Sequence, residues 1–316
     1  MLTIGITCFR EGKLLLRCWE SVLNQHSDLW QCVMVLDGGC DPATRAVFDA
    51  IDHPRLRKFR NLENIGPYQT RNRAFQETHT LLHYYLDGDD ELAPNAIERV
   101  LAWVKNAPNA DIYYTDFLTG HSGAVNIYLS SPPNVCAELF VEGKALYGAS
   151  IIRKKLWEQL GGYREEFAWT LGDYDFYMSA LEAGATFCHI PEPLYLYIRR
   201  PGAVSDTFAH EYHKIYQLLI ERHPRIFNDQ TRKHRLLALG YIYSAFALFG
   251  NMWMKEAEAM ARQAYELGRQ EEALALLSKI KRDRMWPKPL LRIRRKVSIF
   301  IERIFGGIRS RNVDKK

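Results

Sequence analysis

The sequence predicts an α/β protein built on a doubly wound, mostly parallel sheet with a helical C-terminal extension. Three observations carry this expectation. Short apolar runs alternate with segments of helical periodicity through residues 1–207, the pattern of strands joined by crossover helices. Three of these runs stop at Thr7, Asp37 and Asp87, so polar groups gather at strand carboxyl ends, where such sheets bind ligands. From residue 208 onward only helix-like segments follow.

The elements can be taken in order. "LTIGIT" (2–7) reads as a buried strand, and "GKLLLRCWESVLNQ" (12–25) sets Leu15, Cys18, Trp19 and Val22 at helical spacing. "WQCVMVL" (30–36) is a second strand, after which a turn runs into a helix starting near Asp41 and Pro42. "LRKFRN" (56–61) is a third strand and "YQTRNRAFQETH" (68–79) a helix. Leu82, Tyr84, Tyr85 and Leu86 then fit the pleated surface of a fourth strand. "IERVLAWVKN" (97–106) is an amphipathic helix and "DIYYTDF" (111–117) a strand.

Residues 118–146, with Gly120, Gly123, Pro132, Pro133 and Gly143, read as loop-rich, and "LYGASIIR" (146–153) resumes strand character. "KKLWEQLGG" is a short helix stopped by Gly161 and Gly162, and "DYDFYMSALEAG" (173–184) is a helix ended at Gly184. A strand pair is expected at 186–190 and 194–198. Further on, "YHKIYQLLIERH" and "AEAMARQAYELGRQEEALALLSKI" are helical, the second resembling one degenerate helical hairpin. "PKP" (287–289) marks a linker, so the expected organisation is 1–207, 208–286 and 287–316.

Of the 316 residues 47% are apolar and 12% aromatic, enough for a substantial core. No run approaches the roughly 20 apolar residues of a membrane span. The opening "MLTIGITCFREG" lacks the flanks of a signal peptide, so a cytoplasmic location is expected. The six cysteines are scattered without zinc-site spacing and read as reduced core thiols. From Lys279 onward there are 14 Lys/Arg against 3 Asp/Glu, a balance of +11, so the rest carries −6 of the net +5. The basic character belongs to the tail, and no nucleic-acid partner is expected.

"LHYYLDGDDE" (82–91) crowds Asp87, Asp89 and Asp90 at the end of an apolar strand. Three like charges within four residues repel one another. A divalent cation would supply compensation; a turn capping the next helix is the plain alternative.

With these elements placed, residues 1–205 resemble the family 2 glycosyltransferases, whose GT-A fold is a Rossmann-like doubly wound sheet. "TIGITCFREGKLLLRCWESVLNQ" looks like the family's opening strand and helix, and "VMVLDGGCD" like its second strand and Asp-Gly turn. "NIGPYQTRNRAF" is similar to its Asn-x-Gly…Arg-Asn segment, and "YYLDGDD" occupies the place of its Asp-x-Asp motif. "LGGYREEFAWTLGDYDFYMSALEAG" resembles its Gly-Gly-aromatic…Glu-Asp-x-Asp helix, and "IPEPLYLYIRRPGAVS" its closing strand.

The resemblance implies an inverting, metal-assisted transfer. A sugar would pass from a nucleotide-sugar donor, a UDP-sugar, to a hydroxyl of a surface polysaccharide or lipid-linked glycan. Departure of a diphosphate must be stabilised electrostatically, and Mn²⁺ or Mg²⁺ does this with few carboxylate ligands. The family pattern implies Asp89 as the main metal ligand and Asp87 for the donor ribose, the metal, or both. Asp90 is expected to cap the next helix.

Thr7, Glu11 and Asp37 would hold the base and ribose, since a carboxylate accepts the imide N–H of uracil, and Arg71 would lie near the base or diphosphate. Asp173 stands where the family places its base, which deprotonates the attacking hydroxyl, while Asp175 is expected to anchor the start of helix 174–183. The chain departs from the pattern at Gly172, where the family has Glu, and at Ser179, where it has Arg. "RRPG" replaces a metal-binding His after the last strand, so Arg199 or Arg200 would face the diphosphate. His210 and His213 read as ordinary helix residues.

A catalytically inactive nucleotide-sugar-binding scaffold is the alternative, favoured by Gly172. A sugar-nucleotidyltransferase is disfavoured, because no Gly-rich, basic loop follows the first strand. In "LLRIRRKVSIFIERIFGGIRSR" (290–311), Leu290, Ile293, Val297, Phe300, Ile301, Ile304 and Ile308 recur at helical spacing among Arg and Lys. Such a basic amphipathic helix suits an anionic membrane surface, here the inner face of the cytoplasmic membrane. The alternative is packing on the chain's own helices or in a homodimer.

Overall fold

The computed structural model describes residues 1–120, 127–144, 146, 150–199 and 207–284. The alternation read from the sequence is present as β1 (Leu2–Cys8), α1 (Leu14–Leu23), β2 (Trp30–Leu36), α2 (Pro42–Ala50), β3 (Leu56–Arg60), α3 (Pro67–Gln76) and β4 (Leu82–Asp87). β1 pairs in parallel with β2 and with β4, and β2 with β3. All seven β1 residues are buried, as expected of a strand covered on both faces. Leu15, Cys18, Trp19 and Val22 are the buried stripe of α1, and they join Ile4, Ile6 and Leu86 in the main core.

The chain continues as β5 (Glu91–Leu92), α4 (Ala96–Asn106), β6 (Ile112–Gly120), β7 (Ile127–Leu129), α5 (Ala137–Val141), β8 (Ile151–Arg153), α6 (Lys154–Leu160), α7 (Gly172–Glu182) and β9 (Phe187–Ile198). Among the described residues the strands form one sheet in the order β3-β2-β1-β4-β8-β6-β9-β5, with β7 on β6. β6 and β9 are parallel, but β8 runs antiparallel to both β4 and β6. The sheet is therefore mixed, with its parallel half at the N-terminus.

Two readings of this region need correction. Residues 118–146 are not simply loop, because β6 runs on to Gly120 and β7 and α5 follow. The strand pair at 186–190 and 194–198 is the single strand β9, whose register slips opposite Thr115, Asp116 and Phe117. Pro191 and Pro193 fall at this slip, which accommodates them within the strand.

After α7 come α8 (Tyr212–Arg222), α9 (Gln230–Gly250), α10 (Met254–Glu266) and α11 (Gln270–Arg284). The chain divides into two compact units: 1–209 with 214–236, and 210–213 with the residues from 237 onward. In the second unit α10 and α11 form a hairpin, burying Ala257, Ala261 and Ala264 with Ala273, Leu276 and Ile280. No helix among the described residues is long and apolar enough to cross a membrane. Arg200 and the amphipathic segment 290–311 lie outside the described residues.

Candidate functional site

Strand register brings the first polar groups together. Thr7 of β1 is the pairing partner of Asp87 on β4, and its Oγ1 donates to Asp87 Oδ1 at 3.4 Å. Cys8 faces Leu36 of β2, and the next amide, that of Asp37, donates to the Cys8 carbonyl at 2.8 Å. Gly88 follows Asp87 in close contact with β1. A Cβ there would lie 2.9 Å from the Thr7 carbonyl oxygen and 3.1 Å from Cys8 Cβ, so only glycine fits between the two aspartates.

Asp37 is buried, and its carboxylate accepts four hydrogen bonds. They come from the amides of Gly38 (3.1 Å), Ile65 (3.2 Å) and Gly66 (3.1 Å) and from Asn61 Nδ2 (3.0 Å). These bonds clamp the strap 61–66 that leads into α3. Beside Asp37 opens a hollow of about 160 Å³, bordered by Cys40, Arg45, Arg60 and Asn61. Burial, followed by the charges of Glu11, Cys40 and Asp37, pushes the Cys8 thiol up. Glu11 thus belongs to the same strand end, where its Oε2 accepts from the Phe9 amide at 2.5 Å. A larger hollow of about 370 Å³ lies between α1 and the β5–β9 edge. Asp37, Asp87, Asp89 and Asp90 do not line it.

Arg71 of α3 is 7% exposed. Its Nη2 contacts both oxygens of Asp87, at 2.6 and 2.7 Å. The guanidinium lies 4.5 Å from the Tyr68 ring centre and 4.7 Å from that of Tyr85, a sandwich that restrains it. Its Nε is buried without a hydrogen-bond partner among the described residues.

Asp90 does not cap a helix. It is 1% exposed and accepts from Tyr195 Oη at 2.5 Å and the Ile198 amide at 2.7 Å, tying the acidic turn to β9. Burial, then the charges of Asp89 and Asp87, raises its carboxyl well above the usual range. Tyr197, also on β9, is pushed up to about 12 by burial and by Asp90, Asp89 and Asp87. Arg199 follows, exposed, its amide on the Gly120 carbonyl at 2.9 Å.

No three His, Cys, Asp or Glu side chains among the described residues converge into a metal cage. Asp87 and Asp89 are both partly exposed at the turn, one residue apart. Two carboxylates of this kind fit Mg²⁺ or Mn²⁺, which take one or two protein ligands and complete their shells with phosphate oxygens and water.

Asp173 stands in the first turn of α7, which begins at Gly172. Its Oδ1 accepts from Tyr68 Oη and from the Tyr174 amide, each at 2.8 Å. The preceding Leu171 has φ 55°, a left-handed conformation unusual for a side chain of this kind. Asp175 does not anchor the helix start. It is 1% exposed and takes Arg164 Nη1 at 2.5 Å and His223 Nε2 at 3.0 Å. His223 Nδ1 faces Glu182 at 2.9 Å, so one buried imidazole spans two carboxylates of α7.

The structure thus joins Thr7, Arg71 and Asp87 directly and links Asp173 to α3 through Tyr68. Sequence reasoning missed Tyr68, Asn61 and His223. Tyr68 lies one helical turn before Arg71 on α3, so it shares that face, a spacing readable in "YQTR". The partners of Asn61 and His223 are set only by the fold.

Comparison with known proteins agrees with this architecture. Residues 3–133 match the family model "Glycosyl transferase family 2". The chain is 35% identical over 98 residues to the teichoic acid poly(glycerol phosphate) polymerase of Staphylococcus epidermidis, covering 30% of this chain and 14% of that protein. It is 28% identical over 198 residues to the chondroitin synthase of Escherichia coli, covering 62% of this chain and 28% of the other. It therefore spans well under a third of either relative. Among solved structures, S. aureus TarS 1–349 in complex with UDP-GlcNAc is similar with a TM-score of 0.62 at 14% identity. That likeness covers 90% of this chain and 91% of that one and shows a shared fold. Over residues 3–133, under half of its length, this chain is similar to glycosyl transferase family 2.

Proposed function

We propose that the chain transfers a sugar from a UDP-sugar to a hydroxyl of a cell-surface polysaccharide or lipid-linked glycan, with inversion at the anomeric carbon. One observation carries this reading. A single helix, α3, contacts Asp87 at the strand ends through Arg71 and Asp173 through Tyr68. The hollow beside Asp37, walled by Arg60 and Asn61, supports base and ribose binding there. Asp87 and Asp89 would hold Mn²⁺ or Mg²⁺, which supplies electrostatic stabilisation to a departing diphosphate.

In the reaction, the acceptor hydroxyl gives its proton to Asp173 as its oxygen bonds to the anomeric carbon. The bond from that carbon to the phosphate oxygen breaks, and the diphosphate leaves with the electron pair. Asp173 contributes at this stage as a positioned base. Arg199 or Arg200 supplies positive charge for the diphosphate side. The basic segment 290–311 attaches the enzyme to anionic lipid at the inner face of the cytoplasmic membrane, where a lipid-linked acceptor would lie.

The inactive-scaffold reading rests on Gly172, whose lack of a carboxylate removes one family feature. A donor screen separates the two. The full chain is incubated with a panel of nucleotide sugars, Mn²⁺ and a glycan acceptor, and released nucleoside diphosphate and extended glycan are measured. Turnover with one UDP-sugar is expected. UDP binding with no turnover of any donor, including slow hydrolysis, overturns the enzymatic reading.

A further inference from the structure

Gly172 and Tyr68 form one unit. A Cβ built on Gly172 would lie 2.5 Å from Cγ and 2.6 Å from Cδ1 of Tyr68, distances at which one group must move. The Tyr68 ring therefore occupies the space that a side chain at 172 would need. From that position its hydroxyl reaches Asp173 Oδ1 at 2.8 Å. The same ring lies against the Arg71 guanidinium and 5.4 Å from the Tyr163 ring centre, so it is held on several sides.

We infer that Tyr68 is the positioning residue for Asp173, and that Gly172 is present to admit it. This rests on the reading of Asp173 as the base. Oδ1 receives two donors, Tyr68 Oη and the Tyr174 amide. Among the described residues Oδ2 has no hydrogen-bond partner, which makes it the oxygen that takes the acceptor proton. A carboxylate gripped by one oxygen keeps the other aimed, and the entropic cost of that aim is met before substrate arrives. Burial, followed by the nearby Asp173 charge, raises the Tyr68 phenol well above its ordinary range. The phenol thus stays protonated and remains a donor. The departure at Gly172 is matched within the chain by a tyrosine one turn before Arg71.

The test uses four variants of the full chain: Tyr68→Phe, Tyr68→Ala, Gly172→Ala and the double Tyr68→Ala/Gly172→Ala. Tyr68→Phe keeps the ring and loses only the hydroxyl. Its kcat should fall roughly tenfold or more with donor KM and UDP affinity within about twofold. Gly172→Ala should lower kcat in the wild-type background, because the new methyl displaces the ring, and should cost nothing further in the Tyr68→Ala background. Wild-type kcat for Tyr68→Phe overturns the inference, as does a Gly172→Ala penalty of equal size in both backgrounds. A loss of UDP affinity in Tyr68→Phe parallel to the loss of kcat assigns the ring to the donor pocket and also overturns it. Asp173→Asn in the same assay keeps the two ideas apart. If Asp173→Asn is active, the base reading fails; if it is inactive and Tyr68→Phe is not, only the positioning role fails.

Discussion

Nη2 of Arg71 sits 2.6 and 2.7 Å from the two carboxylate oxygens of Asp87, fixing that side chain at the mouth of the sheet. The pair is lopsided, with the arginine side chain 9% exposed and the aspartate 30%. Replacing Arg71 with Ala removes a buried cation from between two tyrosine rings and releases Asp87 toward Asp89. We expect a loss of about 1–3 kcal/mol, below the range for fully buried pairs because water reaches Asp87. Denaturant unfolding of the two proteins measures it, and UDP titration should show weakened binding in Arg71→Ala even where folding is retained.

Asp37→Ala strips the acceptor from the Gly38, Ile65 and Gly66 amides and from Asn61 at once. The strap 61–66 loses its anchor, with a cost on the order of 1–3 kcal/mol. Binding of UDP should weaken while inorganic pyrophosphate binds as before, because the clamp shapes the hollow proposed here for the nucleoside. Calorimetry with both ligands reads the difference. Equal losses would mean that Asp37 does not serve the base.

If Asp89 and Asp87 hold Mn²⁺ as proposed, replacing Asp89 with Ala should abolish the part of UDP binding that requires Mn²⁺, because the ion would supply positive charge to the diphosphate. Titration with and without EDTA shows this. A wild-type protein that binds UDP equally well with EDTA returns the acidic turn to a purely structural role.

His83 gives a pH signature. It is fully buried on β4, stacked 3.7 Å from the Phe75 ring centre, with Thr78 on Nδ1 at 2.7 Å and, among the described residues, no partner for Nε2. Burial, then Lys154, lowers its pKa to about 3 from 6.5. The native state therefore holds the ring neutral where the unfolded chain would protonate it. The unfolded state binds more protons in that window, so stability falls as pH drops from about 6.5 toward 3. Denaturant midpoints across that range should decline less steeply for His83→Gln than for the wild type. Parallel slopes would place the proton uptake elsewhere.

Much of the parallel half was legible in the sequence because its signals are local. The apolar run at 30–36 became β2 residue for residue, and the strand ends at Thr7, Asp37 and Asp87 followed from where the runs stop. Long-range partners were not legible. Asp90 reads like a turn residue, yet its acceptors are filled by Tyr195 and Ile198, more than a hundred positions away. The role of Asp175 depends on His223, 48 residues on. β7 escaped notice because its three residues are partly or fully exposed and carry no buried-strand pattern. Gly172 read as a missing carboxylate, and only the packing of Tyr68 explains its size.

The most direct test is Asp173→Asn assayed for transfer and for UDP binding on one preparation. The substitution keeps the shape of the side chain and an oxygen for Tyr68 and the Tyr174 amide, but removes the charge that accepts a proton. We predict that transfer falls roughly 10²-fold or more while UDP affinity stays within about twofold of the wild type. Transfer near the wild-type rate would contradict the account, because the one carboxylate assigned as base would then be dispensable.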